Sequence, residues 1–388
     1  MFASLLAPFR ASGAPTEAKA SRTAALVALL TTGRPRWTPR DYASLAREGF
    51  TRNAIAYRAV RMIGEAAATV PWVLMEAGRE HDTHPLLDLL NRPNPRLTRS
   101  GLLEAMACHL LVAGNAYVEA VAVEGQLREL HVLRPDRMRV VPGPDGWPEA
   151  YDYTLCGRTL RIPQASVVEG AEVPAILHLT AFNPLDDHYG FPPLEAAAQA
   201  LDLHNAASAW NKALIDNAAR PSGALVYGGA GSLTEEQFER LKGELEASFQ
   251  GATNAGRPLL LEGGLDWRPL SLSPKDMDFE AARNGAAREI ALAVGVPPML
   301  LGIPGDNTYA NYAEANRALW RQSVVPLMRR MAEGLATWLG PAYGPALELV
   351  PDLDQVEALS AERTELWSRI ATADYLTDAE KRAAVGWG

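Results

Sequence analysis

The chain has 388 residues, 48% of them hydrophobic and 21% charged, enough to bury a sizeable core in two or more domains. Its formal net charge of −9 argues against tight static gripping of nucleic acid, which relies on clustered Lys and Arg that release counterions from phosphates. Transient contact with DNA stays open. The apolar run AALVALL at 24–30 is far too short to span a bilayer, and MFASLLAPFR lacks the parts of a secretory signal, so an assembly built in the cytoplasm is expected.

Residues 1–40 are rich in Ala, Ser, Thr, Pro and Arg with weak periodicity, and read as a partly disordered arm or one lying on a neighbour. A helix is predicted from about Asn53, with Ile55, Ala59, Met62, Ala66 and Val70 on one face until Pro71. VPWVLME reads as a strand. A second helix starts near Ser100, the expected N-cap, and carries Leu102, Met106, Leu110 and Ala113. Cys108 within it reads as a reduced buried thiol, and with Cys156 it offers one disulfide at most.

At Gly114 the period changes from near 3.6 to 2. Strands are predicted to join at Glu124-Gly125, a hairpin to turn at Gly157, and AILHLTAF to form a buried strand, so that 53–182 make an α+β domain with a mixed or antiparallel sheet. Pro192-Pro193 opens a helix with two apolar stripes, Leu194, Ala198 and Leu201, and Leu203, Ala207, Trp210 and Leu214. Residues 220–272 read as a compact inserted α/β module whose helix LTEEQFERLKGELEASFQ is acidic, with Thr234 as its N-cap.

The most specific stretch runs from Phe279 to Gly340. An Ala-rich helix with Phe279, Ala282, Ala286, Ile290 and Val294 in line is stopped by VPPMLLGIPG. A long helix then carries Trp320, Val324, Leu327, Met331, Leu335 and Trp338; Pro326 is expected to kink it and Gly340-Pro341 to end it. After Gly340 the chain reads as two short helices around Tyr375-Leu376-Thr377-Asp378.

The order of these pieces resembles the HK97-type portal proteins of tailed bacteriophages: an Ala-rich helix, Val296-Pro297-Pro298-Met299-Leu300-Leu301-Gly302, an Asn-bearing polar loop, then a long helix. NAIAYRAVRMIGEAAATVPW, GNAYVEAV, LHVLRPDRMRV, ILHLTAFNPLDDHYGFPPLEAA and PSGALVY fall in the family's order too, so the resemblance covers roughly residues 40–340. It implies a portal fold of class α+β. In it, 1–40 is a flexible arm, 41–192 the wing, 193–219 a stem helix, 220–272 the clip and 273–295 a second stem helix. Residues 296–311 are the tunnel-loop region, 312–345 a long helix returning to the wing, and 346–388 a short helical crown.

The resemblance further implies a dodecameric ring at a capsid vertex, in a phage, prophage or gene transfer agent, through which double-stranded DNA is packaged and ejected without sequence specificity. Capsid protein, terminase and head-tail adaptor or neck proteins are the implied partners, the virion is the implied location, and no membrane, cofactor or enzymatic activity is implied. Leu201, Trp210, Leu214 and Ile290 are expected to pack the ring, and Asp306, Asn307, Thr308, Tyr309 and Asn311 to face DNA in the tunnel. Glu235, Glu236, Glu239 and Glu246 are expected to present the clip to terminase and neck.

Catalytic motifs are missing: there is no G-x-x-x-x-G-K-[ST], G-x-S-x-G or H-E-x-x-H, and YGGAGSL at 227–233 lacks the spacing of a dinucleotide fingerprint. His81-x-x-His84 lacks an implied third ligand. Asp186-Asp187-His188 is the best metal candidate, and a metal-dependent hydrolase centred on it is the rival reading; another virion structural or adaptor protein is the third.

Overall fold

The first four helices are each set by a side-chain cap, Asp41, Asn53, His84 and Thr98 in turn. The computed structural model describes residues 37–164, 167–168, 170–216, 223–227, 234, 236, 239–240, 243, 265–269, 279–305, 309–344 and 346–385. Thr38–Gly388 form one compact unit; Met1–Trp37 form another, described only at Trp37. A short helix α1 (Tyr42–Leu45) runs through a π turn into Arg52, and Asn53 then caps α2 (Ala54–Thr69). The Asn53 carboxamide oxygen accepts from the amides of Ile55 and Ala56, both at 3.1 Å. The predicted N-cap Ser100 is replaced by Thr98, whose hydroxyl accepts from Gly101 N, and α4 (Arg99–Ala113) starts there; α3 (Pro85–Asn91) precedes it. Ser100 sits inside the first turn instead, with its hydroxyl against that of Thr98.

Three antiparallel sheets follow from hairpins that share one device. Strands β1 (Trp72–Glu76) and β2 (Arg79–His81), β3 (Asn115–Val123) and β4 (Gln126–Leu133), and β6 (Pro148–Leu155) and β7 (Arg158–Pro163) are each joined by two residues. Those residues are Ala77-Gly78, Glu124-Gly125 and Cys156-Gly157, all at positive φ, the turn that suits the twist of paired strands. β5 (Met138–Pro142) pairs with β6; after the two-residue strands β8 (Val167–Val168) and β9 (Ala171–Glu172), β10 (Ile176–Thr180) pairs with β3. The sheet expected in 53–182 is thus antiparallel throughout.

Next come α5 (Pro193–Ala196), α6 (Ala198–Asp216) and the pair β11 (Gly223–Tyr227) and β12 (Leu265–Pro269). α7 (Phe279–Val294) packs on α6, and α8 (Tyr309–Leu319), a π turn (Trp320–Val324) and α9 (Val325–Tyr343) make the long helix. The irregularity falls just upstream of Pro326, which has no amide for the Gln322 carbonyl, so the ladder widens into the π turn. Gly340-Pro341 does not end α9. Pro341 costs one hydrogen bond in the last turn, while continuing the helix keeps Trp338, Leu339 and Gly340 buried; Gly344 ends it, donating to the Gly340 carbonyl at 2.7 Å.

The chain then forms a strand that the sequence reading missed, β13 (Leu347–Pro351), which pairs antiparallel with β1 at all five of its residues. The helices α10 (Ser360–Ala371) and α11 (Asp378–Ala384) follow. One continuous core joins Ala59 and Ile63 of α2, Met106 of α4, Leu201 of α6, Ile290 of α7 and Met331 and Leu335 of α9. A smaller core under β5–β6–β7 gathers Tyr117, Met138, Val140, Tyr151 and Ile162.

Candidate functional site

Between α7 and α8 the chain passes through a polar stretch whose entry is anchored on α7. Pro297 and Pro298 stop α7, and Pro298–Leu301 make a single 3-10 turn closed by Gly302 at φ 70°. Ile303 is then buried against Ala287 and Ala291 of α7, and its amide donates to the Pro298 carbonyl at 3.2 Å. Arg288, one turn along the same helix, donates to the Pro304 carbonyl. On the far side, the Ser323 hydroxyl inside the π turn donates to the Gly295 carbonyl at 2.5 Å, satisfying an orphan acceptor at the end of α7. Asp306, Asn307 and Thr308 lie outside the described residues; Tyr309 is the first residue of α8, and Asn311 lies exposed in its first turn.

The helices α6 and α7 are tied to the body by polar as well as apolar contacts. Asn53, besides capping α2, donates to Asn205 Oδ1 at 3.0 Å and lies 3.1 Å from His204 Nδ1, while Asn205 donates to the Glu48 carbonyl. Thr38 donates to Asp202 through amide and hydroxyl. Burial holds His204 below the usual histidine range. None of these partners was singled out from sequence, since Asn, Thr and Asp on a helix ordinarily read as solvated surface.

The expected ring-packing residues separate here. Leu201 is 2% and Ile290 0% exposed, taken up by the chain's own core, so neither offers a surface to a neighbour. Trp210 is half-buried, and Leu214 lies near the end of α6. The apolar surface left outward on this pair belongs instead to Leu203, 49% exposed, and Leu292, 78% exposed. Of the four glutamates, Glu236 and Glu239 are helical and exposed; Glu235 and Glu246 lie outside the described residues.

The metal candidates resolve into turns and caps. Asp186 Oδ1 accepts from the amides of His188 at 2.8 Å and Tyr189 at 2.9 Å, an Asx turn that shapes the loop. His84 Nδ1 accepts from Leu86 N and so caps α3, while His81 meets Glu76 at 3.1 Å. Among the described residues no group of three His, Cys, Asp or Glu is placed to hold a metal ion, and no helix is long and apolar enough to cross a membrane. Both cysteines are free, and burial pushes the Cys108 thiol up to about 11.

The loop 181–190 is clamped from beneath. Asn115 Oδ1 accepts from Gly190 N and lies 2.9 Å from His178 Nε2, and His178 stacks on Tyr117 with ring centroids 4.1 Å apart. Burial holds His178 down at about 4, so it is neutral near pH 7. Gly114 and Gly190 approach so closely that a Cβ on Gly190 would sit 2.0 Å from the Gly114 carbonyl oxygen. This clamp fixes the entry into α5 and α6.

The described residues thus give an α+β body, a buttressed helix pair and a loop whose entry is anchored on α7. The family model for phage portal proteins matches residues 54–386. The chain belongs to the phage portal protein family, of the HK97 type. It is 54% identical to a chain in the neck of a native gene transfer agent particle computed with C12 symmetry, with a TM-score of 0.69, covering 94% of this chain and 98% of that one. A Rickettsia bellii (strain RML369-C) protein is 40% identical over 344 residues, 87% of this chain and 88% of the relative. The portal protein of Enterobacteria phage HK97 is 23% identical over 314 residues, 77% and 70% of the two chains.

Proposed function

We infer that twelve copies of this chain form a ring at one vertex of a gene transfer agent or phage particle, through which double-stranded DNA passes. The observation that carries the reading is the 54% identity, over 94% of this chain, to a chain of a particle neck computed with C12 symmetry. In this reading 41–192 is the wing, α6 and α7 are the stem, 220–272 the clip and 346–388 the crown. Within the tunnel-loop region 296–311, residues 303–311 line the channel. Their entry is anchored on α7 through Ile303 and Arg288, and the polar residues that follow offer no cluster of Lys and Arg for a strong grip on phosphate. Energy for DNA movement comes from a separate terminase motor, and this chain acts as a structural part. Exposed Glu236 and Glu239 mark the clip as an acidic collar for terminase and neck proteins, with salt-sensitive recognition.

Purified full-length chain imaged in negative stain tests the ring: twelve-fold particles with a central hole are expected, and monomers or open filaments would overturn it. Deleting Asp306–Tyr309 should leave rings intact while the yield of DNA-filled particles drops. An unchanged yield removes the loop's role. Reversing charge at Glu236 and Glu239 should weaken terminase binding at low salt, and unaltered binding leaves solubility as the better account of those carboxylates.

A further inference from the structure

The sheet β13–β1–β2 leaves one edge of β13 without a strand partner among the described residues. The Asp352 amide donates to the Pro71 carbonyl at 2.8 Å, and Pro351 lies opposite Trp72. In an antiparallel ladder this phase turns the backbone groups of Glu348 and Val350 towards β1. The N–H and C=O groups of Leu347 and Leu349, and the Pro351 carbonyl, are then aimed at the free edge. The side chains of those three residues are buried, which holds the edge rigid.

Beside this edge opens a groove of about 940 Å³ between β13 and one side of α9. Ala336 and Gly340 keep its helical wall low, Leu347 and Leu349 lie along its strand side, and Arg329, Glu333 and Glu348 are its charged lining. Natural proteins usually blunt such an edge with charge, proline or a covering segment. Here the edge is flanked by space for an extended chain, the arrangement used in recognition by strand addition.

The sequence contains a segment suited to it. Residues 1–36 carry five basic side chains against one acidic, a charge of +4 in a chain of net −9, so the remainder carries −13. Within them, Thr23–Thr32 reads TAALVALLTT, free of Pro, Gly and charge, and is flanked by Arg22 and Arg34. The tether from residue 32 to Thr38, which is bonded to Asp202, reaches roughly 20 Å when extended, a range that suits the edge of an abutting copy. We propose that residues 23–32 of a neighbouring copy add as a fourth strand to the free edge of β13. Their basic flanks meet Glu333 and Glu348. Each copy gives one segment and receives another, a heterologous contact that closes only in a ring, so the inference rests on the ring reading above.

Cysteine pairing in the full-length chain tests it. In a Cys108→Ala, Cys156→Ser background, Ala25→Cys, Val27→Cys and Leu29→Cys are each combined with Val350→Cys, whose site is 43% exposed. Because a disulfide needs Cα atoms within about 7 Å, only a seated segment cross-links efficiently. A ladder of covalent multimers on a denaturing gel is expected for at least one pairing. Adding Glu333→Lys and Glu348→Lys should cut its yield about tenfold. Rings in negative stain that give only monomeric product in all three pairings, or a ladder indifferent to charge reversal, overturn the proposal. Loss of rings from the unmodified chain would instead sink the ring reading itself, and the same grids distinguish the two.

Discussion

Along α9, Met328, Met331, Leu335 and Leu339 are all closed into the core, whereas α7 enters that core only on one face. Ala286, Ile290 and Val294 of α7 are buried, yet Leu292 between them is 78% exposed, and Leu203 on the partner helix α6 is 49% exposed. One region has closed its row of large aliphatic side chains inside the chain. The other leaves Leu203 and Leu292 outward, and in the proposed ring these are the side chains available to a neighbouring copy. On the ring reading, the difference separates residues that make the subunit from residues that would make the assembly, although both kinds look alike as aliphatic positions of apolar helices in the sequence.

The strongest break of that contrast is a charge placed on the inward side. Leu201→Asp or Ile290→Asp should destabilise the chain by at least about 3–5 kcal/mol, through an unpaired buried carboxylate. Loss of soluble protein and of a cooperative circular-dichroism melt is the expected result; a normal melt would show that these helices are not core. Leu292→Asp and Leu203→Asp should instead leave the monomer melt within about 0.5 kcal/mol of the parent while sedimentation shows fewer rings. A fall in monomer stability comparable to that of Ile290→Asp would erase the distinction.

A smaller effect is expected at the loop anchor. Ile303→Ala removes a buried side chain from between Ala287 and Ala291 and should cost about 2–3 kcal/mol. Hydrogen exchange should speed up in 298–305 while β5–β7 stays protected; uniform acceleration would mean that the loop root is not a separate unit.

A pH dependence is expected as well. His178 titrates near 4 in the folded chain and near 6.5 when unfolded, so its neutral form is favoured by folding. That contribution is complete above pH 6.5 and is lost as pH falls towards 4, because the unfolded chain then binds the proton first. His109, also held down at about 4 by burial, adds in the same sense. The melting temperature should drop across this window, and His178→Gln should drop less steeply. An identical slope in the variant would remove His178 from the account.

Much of this architecture was legible in the residues. Helical periodicity from Asn53, the change to period 2 at Gly114, the X-Gly turns at 124–125 and 156–157 and the proline stop after α7 each depend on local sterics, which a sequence carries directly. The order of those pieces was enough to recognise the family. Capping was read less well, because Thr98 and Ser100 offer the same hydroxyl and only the entering chain direction selects Thr98.

Other features were decided by tertiary structure. Periodicity says that Leu201, Leu203, Ile290 and Leu292 belong to apolar helices, but burial is a property of what lies opposite. α2 and α6 pack on α7, where Ile290 is buried, and among the described residues nothing closes over Leu292. β13 forms because β1, almost three hundred residues earlier, presents a matching edge, and no local propensity in LELVP announces it. The Asn53–Asn205 and Asn115–His178 bonds likewise join polar residues far apart in the chain. Their value arises only once burial removes water as the competing partner.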